Sequence, residues 1–447
     1  MSKSIIVIIG IIILISGCSK EEISSQQSEI DAPILIAYSG TFPNVSAEIA
    51  VGYFGDINTV NAYGFCYSTS NPFPTISDDV LSLGIQIPQR TFSGSIDNIE
   101  AGDLYYVRGF INLGDIVLYS SDALILASPS LVNIDLNPIA SLGNIRRTEA
   151  VAFSIGGKGY VGLGENPGAP TTFNDLWEYD PTNNIWTQKA DYPVIRASTT
   201  SFVIDDIAYV GTGHDYTIIE TNRAYRRNPT NDFYAYNPVM NQWDSIAPIP
   251  TAITGAIGLS IGSKGYVIGG ADTLECLSTI YEYDAVTNRW TTKTPLPTTH
   301  CAGAGNTING KAYIGMGYGE PAFYEFDPTN NTVNTLQSYP GNPMGDLISF
   351  MHENEIYFGF GMDTDKLLGT YSQDYWKFNP IEKKWFQVSL LRDKVSAKEN
   401  LDFSEAVSFK VGEKVFIGSG QVSVIFEDGE RGQSQGSSEF YEVLFDQ

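Results

Sequence analysis

The stretch DLWEYDPTNNIW, residues 175–186, returns as TIYEYDAVTNRW at 279–290 and, more loosely, as DFYAYNPVMNQW at 232–243 and DYWKFNPIEKKW at 374–385. In each copy, apolar and aromatic positions run into a polar turn and then reach a tryptophan. Pro presets φ and Asn tolerates left-handed geometry, so the two flanks are expected to pair as a hairpin. A second stretch precedes these hairpins: GKGYVGLG, DIAYVGTG, SKGYVIGG, GKAYIGMG, NEIYFGFG and EKVFIGSG. Its aromatics are Tyr160, Tyr209, Tyr266, Tyr313, Tyr357 and Phe416, each followed four residues on by Gly164, Gly213, Gly270, Gly317, Gly361 or Gly420. Six copies recur at intervals of 44 to 59 residues. A period of that size marks a supersecondary unit that cannot bury its faces alone and must stack on its neighbours.

The copies are therefore expected to be four-stranded blades packed radially into a β-propeller, with Trp186, Trp243, Trp290 and Trp385 as wedges between them. The sixth copy lacks a fourth strand after EFYEVLF (439–445). LVNIDLNP (131–138) places Pro138 after Leu131 at the spacing by which Pro193 follows Trp186. This segment is expected to supply the missing outer strand and close the ring, which removes an exposed edge. Before it, residues 32–127 show seven short strand patterns separated by Gly, Asn, Asp and Pro, the rhythm of a β-sandwich.

The YVxGG-like strand ends, the YDP turn and the tryptophan seven residues after the tyrosine resemble the kelch repeat. Only Gly269 and Gly270 keep the full glycine doublet, and Val333 stands where the fourth copy would carry tryptophan. IEAGDLYYVRGF, with Tyr105 at the corner position, resembles the tyrosine-corner region of fibronectin type III-like domains. The expected fold is all-β: a sandwich at 32–127, then a six-bladed kelch-like propeller at 131–447.

Composition agrees with many short strands: 43 Gly, 26 Tyr, 23 Phe and only 17% charged residues. The net charge of −25 repels phosphate backbones, so nucleic acid is not an expected partner. At the N-terminus, MSKS precedes the apolar run Ile5–Ile15, too short to span a bilayer but suited to a signal peptide. The following ISGC resembles a bacterial lipobox. It implies a signal peptide at 1–17, lipidation of Cys18, and a polar tether at 18–31. SKEE after Cys18 resembles the export signal that sends Bacteroidota lipoproteins to the outer face of the outer membrane. The expected location is thus the outer membrane, lipid-anchored and facing the cell exterior.

The residue thirteen before each second-strand aromatic is Arg147, Arg196, Ile253, His300, Met344 or Phe403. The alignment points the two arginines and the histidine toward one mouth of the channel, overhung by a long loop with His214, Tyr216, Arg226 and Arg227. Guanidinium groups beside aromatics suit a carboxylate or a sugar face. The candidate ligand residues are therefore Arg147, Arg196, His214, Tyr216, Arg226 and His300; the alternative makes the strand lead-in residues struts. No catalytic constellation, cofactor or metal site is read. The resemblance extends to galactose oxidase, whose copper site needs two histidines, two tyrosines and a crosslinking cysteine; of the three histidines here, His214, His300 and His352, the last falls on the opposite face by the alignment, so copper is not expected. Cys276 and Cys301 lie on adjacent blades at the same face, as two separate buried thiols by preference, as a disulfide, or, least favoured, as metal ligands with His300. The functional expectation is a surface binding or scaffold module for a protein, peptide or glycan, plausible as an accessory subunit of an outer-membrane complex. The alternative is a carbohydrate-active epimerase or mutarotase resembling the sialic-acid-processing kelch enzymes.

Overall fold

The computed structural model describes residues 29–446 except 31–33, 42–43, 55–59, 87–90, 100–102, 128, 144, 167–170, 220–223, 319–320, 342–343, 364–369, 372–374, 391–402 and 423–434. The signal peptide, Cys18 and nearly all of the tether fall outside these residues. Among the described residues every regular element is a strand. The chain divides into a smaller unit, which holds most of the described residues up to 124, and a larger one that takes 125 onward.

The repeated stretches build six four-stranded sets. The first, Val151–Ile155, Lys158–Gly162, Leu176–Asp180 and Ile185–Gln188, shows how the sequence does this. Its innermost strand alternates buried and half-buried residues. The second strand, KGYVG, is buried on both faces from its second residue, and the outermost, IWTQ, is mostly exposed. A near-continuous apolar run sits where both faces are covered, and polarity rises toward the rim. The second strand buried from its second residue onward returns in the sets that begin at Thr200, Ile257, Ala304, Ile348 and Val407.

Each blade hides its faces against the next. Phe153, Tyr160 and Leu176 of the first blade share a core with Tyr192, Ala208 and Tyr236. Val407, Phe409, Phe416 and Phe440 of the last pack with Val161 and Tyr179 of the first, so the stack returns to its start. Glycine at the end of the second strand is obligatory: Gly164 has φ +86°, and a Cβ there would lie 2.4 Å from the carbonyl oxygen of Thr148.

Closure occurs as expected. Pro129–Pro138 lies antiparallel to Phe440–Asp446, with Ile134 opposite Phe445 and Leu136 opposite Val443. The same strand also runs parallel to Lys384–Leu390 of the fifth blade, so the last two blades form one eight-stranded sheet. That second pairing was not anticipated.

The tryptophans act as expected between blades, though unequally. The indole N–H of Trp186, Trp243, Trp290 and Trp385 donates to the carbonyl of Ala140, Ala190, Ala247 and Gln337, respectively, in the segment leading into its own blade. Trp385 is fully buried, whereas the other three are half-buried. Cys276 and Cys301 are joined in a disulfide, which corrects the preference for separate thiols and ties the third blade's loop to the lead-in of the fourth.

The smaller unit is two-sheeted. Asn44–Phe54 pairs with Ile34–Thr41, Glu29–Ile30 and Thr91–Ile99; Leu104–Asn112 pairs with Ala62–Ser68, Val117–Tyr119 and Leu124–Ala127, and Asp79–Gly84 adds to Ala62–Ser68. The last strand pattern splits in two, and Glu29–Ile30 adds a strand to the seven expected. Ile49, Val51, Phe65, Val107 and Ile111 are buried. Cys66 is a buried thiol, pushed by its burial up to about 11 and so unreactive at neutral pH.

Candidate functional site

The loops between second and third strands share a face with the lead-in to each first strand. On that face the two arginines and the histidine are buried and paired within the protein. Arg147 is fully buried, and its guanidinium makes a two-point contact with Asp175 at 2.8 and 2.7 Å and donates to the carbonyl of Leu163. Arg196 is 5% exposed and grips both oxygens of Asp232 through Nη2, at 3.0 and 2.8 Å. His300 is buried, donating from Nδ1 to the carbonyl of Met316 with Thr298 Oγ1 3.1 Å from Nε2. All three lock the lead-in of a blade to later strands of that same blade. The expectation that Arg147, Arg196 and His300 line the mouth is corrected: they are struts within blades.

The mouth is formed two residues further on. Glu149, Ser198, Gly255, Ala302, Asp346 and Glu405 occupy equivalent positions, all with φ between +51° and +63°. The left-handed turn aims successive peptide groups around the axis. The N–H of Ser198 donates to the carbonyl of Glu149, Gly255 to Ser198, Ala302 to Gly255, Asp346 to Ala302 and Glu405 to Asp346, at 2.9–3.1 Å. Five of these residues are not glycine, and each carries the cost of a conformation that L-residues seldom adopt. The six line a cavity of about 120 Å³ at the channel mouth.

Three rim positions are acidic, and the enclosure alters them. Burial pushes Glu149 up to about 7, against the opposing pull of Arg227 and the Ser198 hydroxyl. Burial, then the charges of Asp346 and Glu149, push Glu405 up to about 8. Burial also raises Asp346, which accepts a hydrogen bond from the Tyr318 hydroxyl. Gln421 Nε2 donates to Glu405 at 3.0 Å.

The hairpin His214–Ile219 with Ala224–Pro229 brings further groups to this rim. Arg227, 55% exposed, donates from Nη2 to Glu149 Oε1 at 2.8 Å, while Ser198 Oγ donates to Oε2 at 2.6 Å. His214 is fully buried; its Nδ1 lies 2.9 Å from Thr254 Oγ1, and burial followed by the Arg227 charge pushes it down to about 3. The ring is neutral at any physiological pH. Tyr216 sets its ring edge-on to His214 with centroids 5.0 Å apart, and hydrogen-bonds Glu165. Arg226 lies in the second strand of this hairpin opposite Thr217, and its side chain is outside the described residues, as is Cys18.

Of the sequence candidates, His214 and Tyr216 thus meet at one corner of the mouth, while Arg147, Arg196 and His300 are held inside their blades. Glu149, Asp346 and Glu405 were missed. The alignment that singled out Arg147 would have found them at an offset of two, but three acids among Ser, Gly and Ala carry no chemical motif.

The Kelch motif matches residues 259–297, the blade that keeps the glycine doublet. The chain is 28% identical over 138 residues to Kelch-like protein 25 of Xenopus laevis, covering 30% of this chain and 23% of that protein. It is 30% identical over 127 residues to Kelch-like protein 23 of Homo sapiens, covering 28% and 21%. It is 30% identical over 126 residues to the Rho GTPase-activating protein gacHH of Dictyostelium discoideum, covering 27% and 8%. The matched part spans less than a quarter of each of these relatives. The solved structure of YjhT superposes with a TM-score of 0.54 at 15% identity, over 69% of this chain and 99% of that one. The chain is thus an all-β protein that carries a Kelch motif in its third blade and is similar there to Kelch-like proteins, with the fold of the solved structure.

Proposed function

We propose that the protein is a binding or scaffold module that presents the channel mouth and its overhanging hairpin to a protein, peptide or glycan. The observation that carries this reading is Arg227, an exposed guanidinium that a paired hairpin holds over the acidic rim. Recognition groups on loops fixed by a rigid scaffold are the usual way such folds bind. A cavity of about 120 Å³ is small beside the roughly 300–1,000 Å³ of small-molecule sites, so the ligand lies across the rim instead of entering it. The Kelch-like relatives favour a protein or peptide. On this reading Cys18 carries lipid that holds the chain at the outer membrane, facing outward as an accessory subunit of a membrane complex, and the N-terminal unit is a fibronectin type III-like spacer. The lipid rests on the apolar run and ISGC alone.

The test is a screen of peptide and glycan arrays with the full chain and with Arg227→Ala. Binding of one ligand class, weakened tenfold or more in a variant that keeps the parent's folded circular-dichroism spectrum, supports the reading. No ligand, or equal binding by both proteins, overturns it.

One observation favours the second reading, an epimerase or mutarotase. Glu149 is held near neutrality, beside the neutral imidazole of His214, which suits proton exchange with a sugar. Anomer exchange of a sialic acid followed by NMR distinguishes the two. Acceleration that Glu149→Gln abolishes establishes the enzyme; a rate equal to buffer removes it.

A further inference from the structure

The same corner of the mouth holds an arrangement that recognition through Arg227 does not require. His214 Nε2 is fully enclosed and has no hydrogen-bond partner. It points at Glu149 Oε2, 3.5 Å away, too long for a good hydrogen bond. Glu165, on the short strand Glu165–Asn166 of the first blade, brings a third donor, and the three ligand atoms lie within 4.8 Å of one another. A buried ring nitrogen without a partner is costly unless something fills the gap.

We propose that Glu149, Glu165 and His214 form a site for a divalent first-row metal ion of the zinc or manganese class, with at least one coordination position left for solvent or ligand. Bonds of about 2.0–2.2 Å in a tetrahedral shell place neighbouring ligand atoms about 3.4 Å apart. The His214–Glu149 spacing already meets this. Glu165 is half-buried, and its ligand atom lies within 4.8 Å of the other two. One imidazole with two carboxylates suits zinc, manganese or iron, and lacks the soft sulfur donors that select copper(I).

The surroundings orient the ligands as metal sites require. His214 Nδ1 lies 2.9 Å from Thr254 Oγ1, and the tautomer that donates Nδ1–H to this hydroxyl leaves the lone pair on Nε2 for the ion. Glu149 is held from both sides, by Arg227 on Oε1 and by Ser198 on Oε2, with a second lone pair of Oε2 free to face His214. The guanidinium is the opposing charge in this corner, and it sits on the other carboxylate oxygen. Two carboxylates match the charge of the ion.

The experiment is calorimetric titration of the full chain, stripped with EDTA and dialysed, with zinc chloride and manganese chloride in separate runs. The expected result is one saturable equivalent of at least one ion. Glu165→Gln weakens it tenfold or more, His214→Gln a hundredfold or more, and the ion raises the melting temperature of the parent chain more than that of either variant. Because His214 is buried and its replacement risks the fold, Glu165→Gln, at a part-exposed side chain, decides the matter alone. Absence of a saturable equivalent overturns the site, and so does binding unchanged in Glu165→Gln, which would place the ion elsewhere on this acidic chain. The readout is metal uptake, so its failure leaves the array result for Arg227 untouched.

Discussion

Glu405 shows how the rim stores energy in single residues. Its carboxyl is held protonated up to about pH 8 by its own burial and by Asp346 and Glu149. The folded state therefore binds this proton more tightly than the unfolded chain, whose glutamates titrate near 4.5. The sign follows: the group imposes no penalty below about pH 4.5, and the penalty grows as pH rises toward 8. Glu405→Gln should melt above the parent at pH 8 and level with it at pH 4.5, by scanning calorimetry; an equal gap at both values would show that Glu405 is not the titrating group. Arg147 makes the opposite point. Its partner Asp175 is only 15% exposed, so Arg147→Ala strands a mostly buried carboxylate and should cost about 3–5 kcal/mol in urea unfolding. Arg227→Ala takes a 55% exposed guanidinium from Glu149, which is 9% exposed but keeps the Ser198 hydroxyl, and should cost less than Arg147→Ala. The alignment located this layer of residues to within two positions. It could not tell strut from rim, because that depends on a left-handed φ which five non-glycine residues adopt only in the assembled ring.

At the scale of the element, the repeated YD–N–W phrase is a clamp. Asn288 sits at φ +50°, accepts at Oδ1 from the Tyr283 hydroxyl and the Ala247 N–H, and leaves Trp290 to bond the Ala247 carbonyl. Asn184 and Asn241 do the same with Tyr179 and Ala140, and with Tyr236 and Ala190. The phrase recurs because one short turn must satisfy both peptide groups of the preceding connection while its own tyrosine is buried. Asn288→Ala should cost about 1–3 kcal/mol, since it leaves a donor unpaired and strains the backbone. Trp385→Ala, at a fully buried ring, should cost about 3–5 kcal/mol, and Trp243→Ala, half-buried, clearly less. Equal losses at both in denaturant titration would contradict the burial pattern. The hairpins, their turns and the wedge role of the tryptophans were legible in the sequence because spacing and turn chemistry are local. The Cys276–Cys301 bond was not, because their approach depends on how two blades meet.

At the scale of the molecule, six inter-blade cores form one circuit, and its closure depends on a strand drawn from upstream of the first blade. The unfinished sixth copy and the position of Pro138 made that strand legible. Its parallel contact with the fifth blade was not, since no periodicity distinguishes a strand paired on one edge from one paired on both. Closure also supports the mouth, because Glu405 and Glu149 stand on the last and first blades, with the seam between them. Ring closure is tested most directly by native-state hydrogen exchange of amides 133–137, read by mass spectrometry in the parent chain and in Leu136→Asp, where Leu136 is 1% exposed. The closed ring predicts that these amides are protected as strongly as the second strand Lys414–Gly418, and that Leu136→Asp raises exchange in Phe440–Asp446 and on through the first blade. Rapid exchange of 133–137 in the parent chain, with the blades still protected, would contradict it.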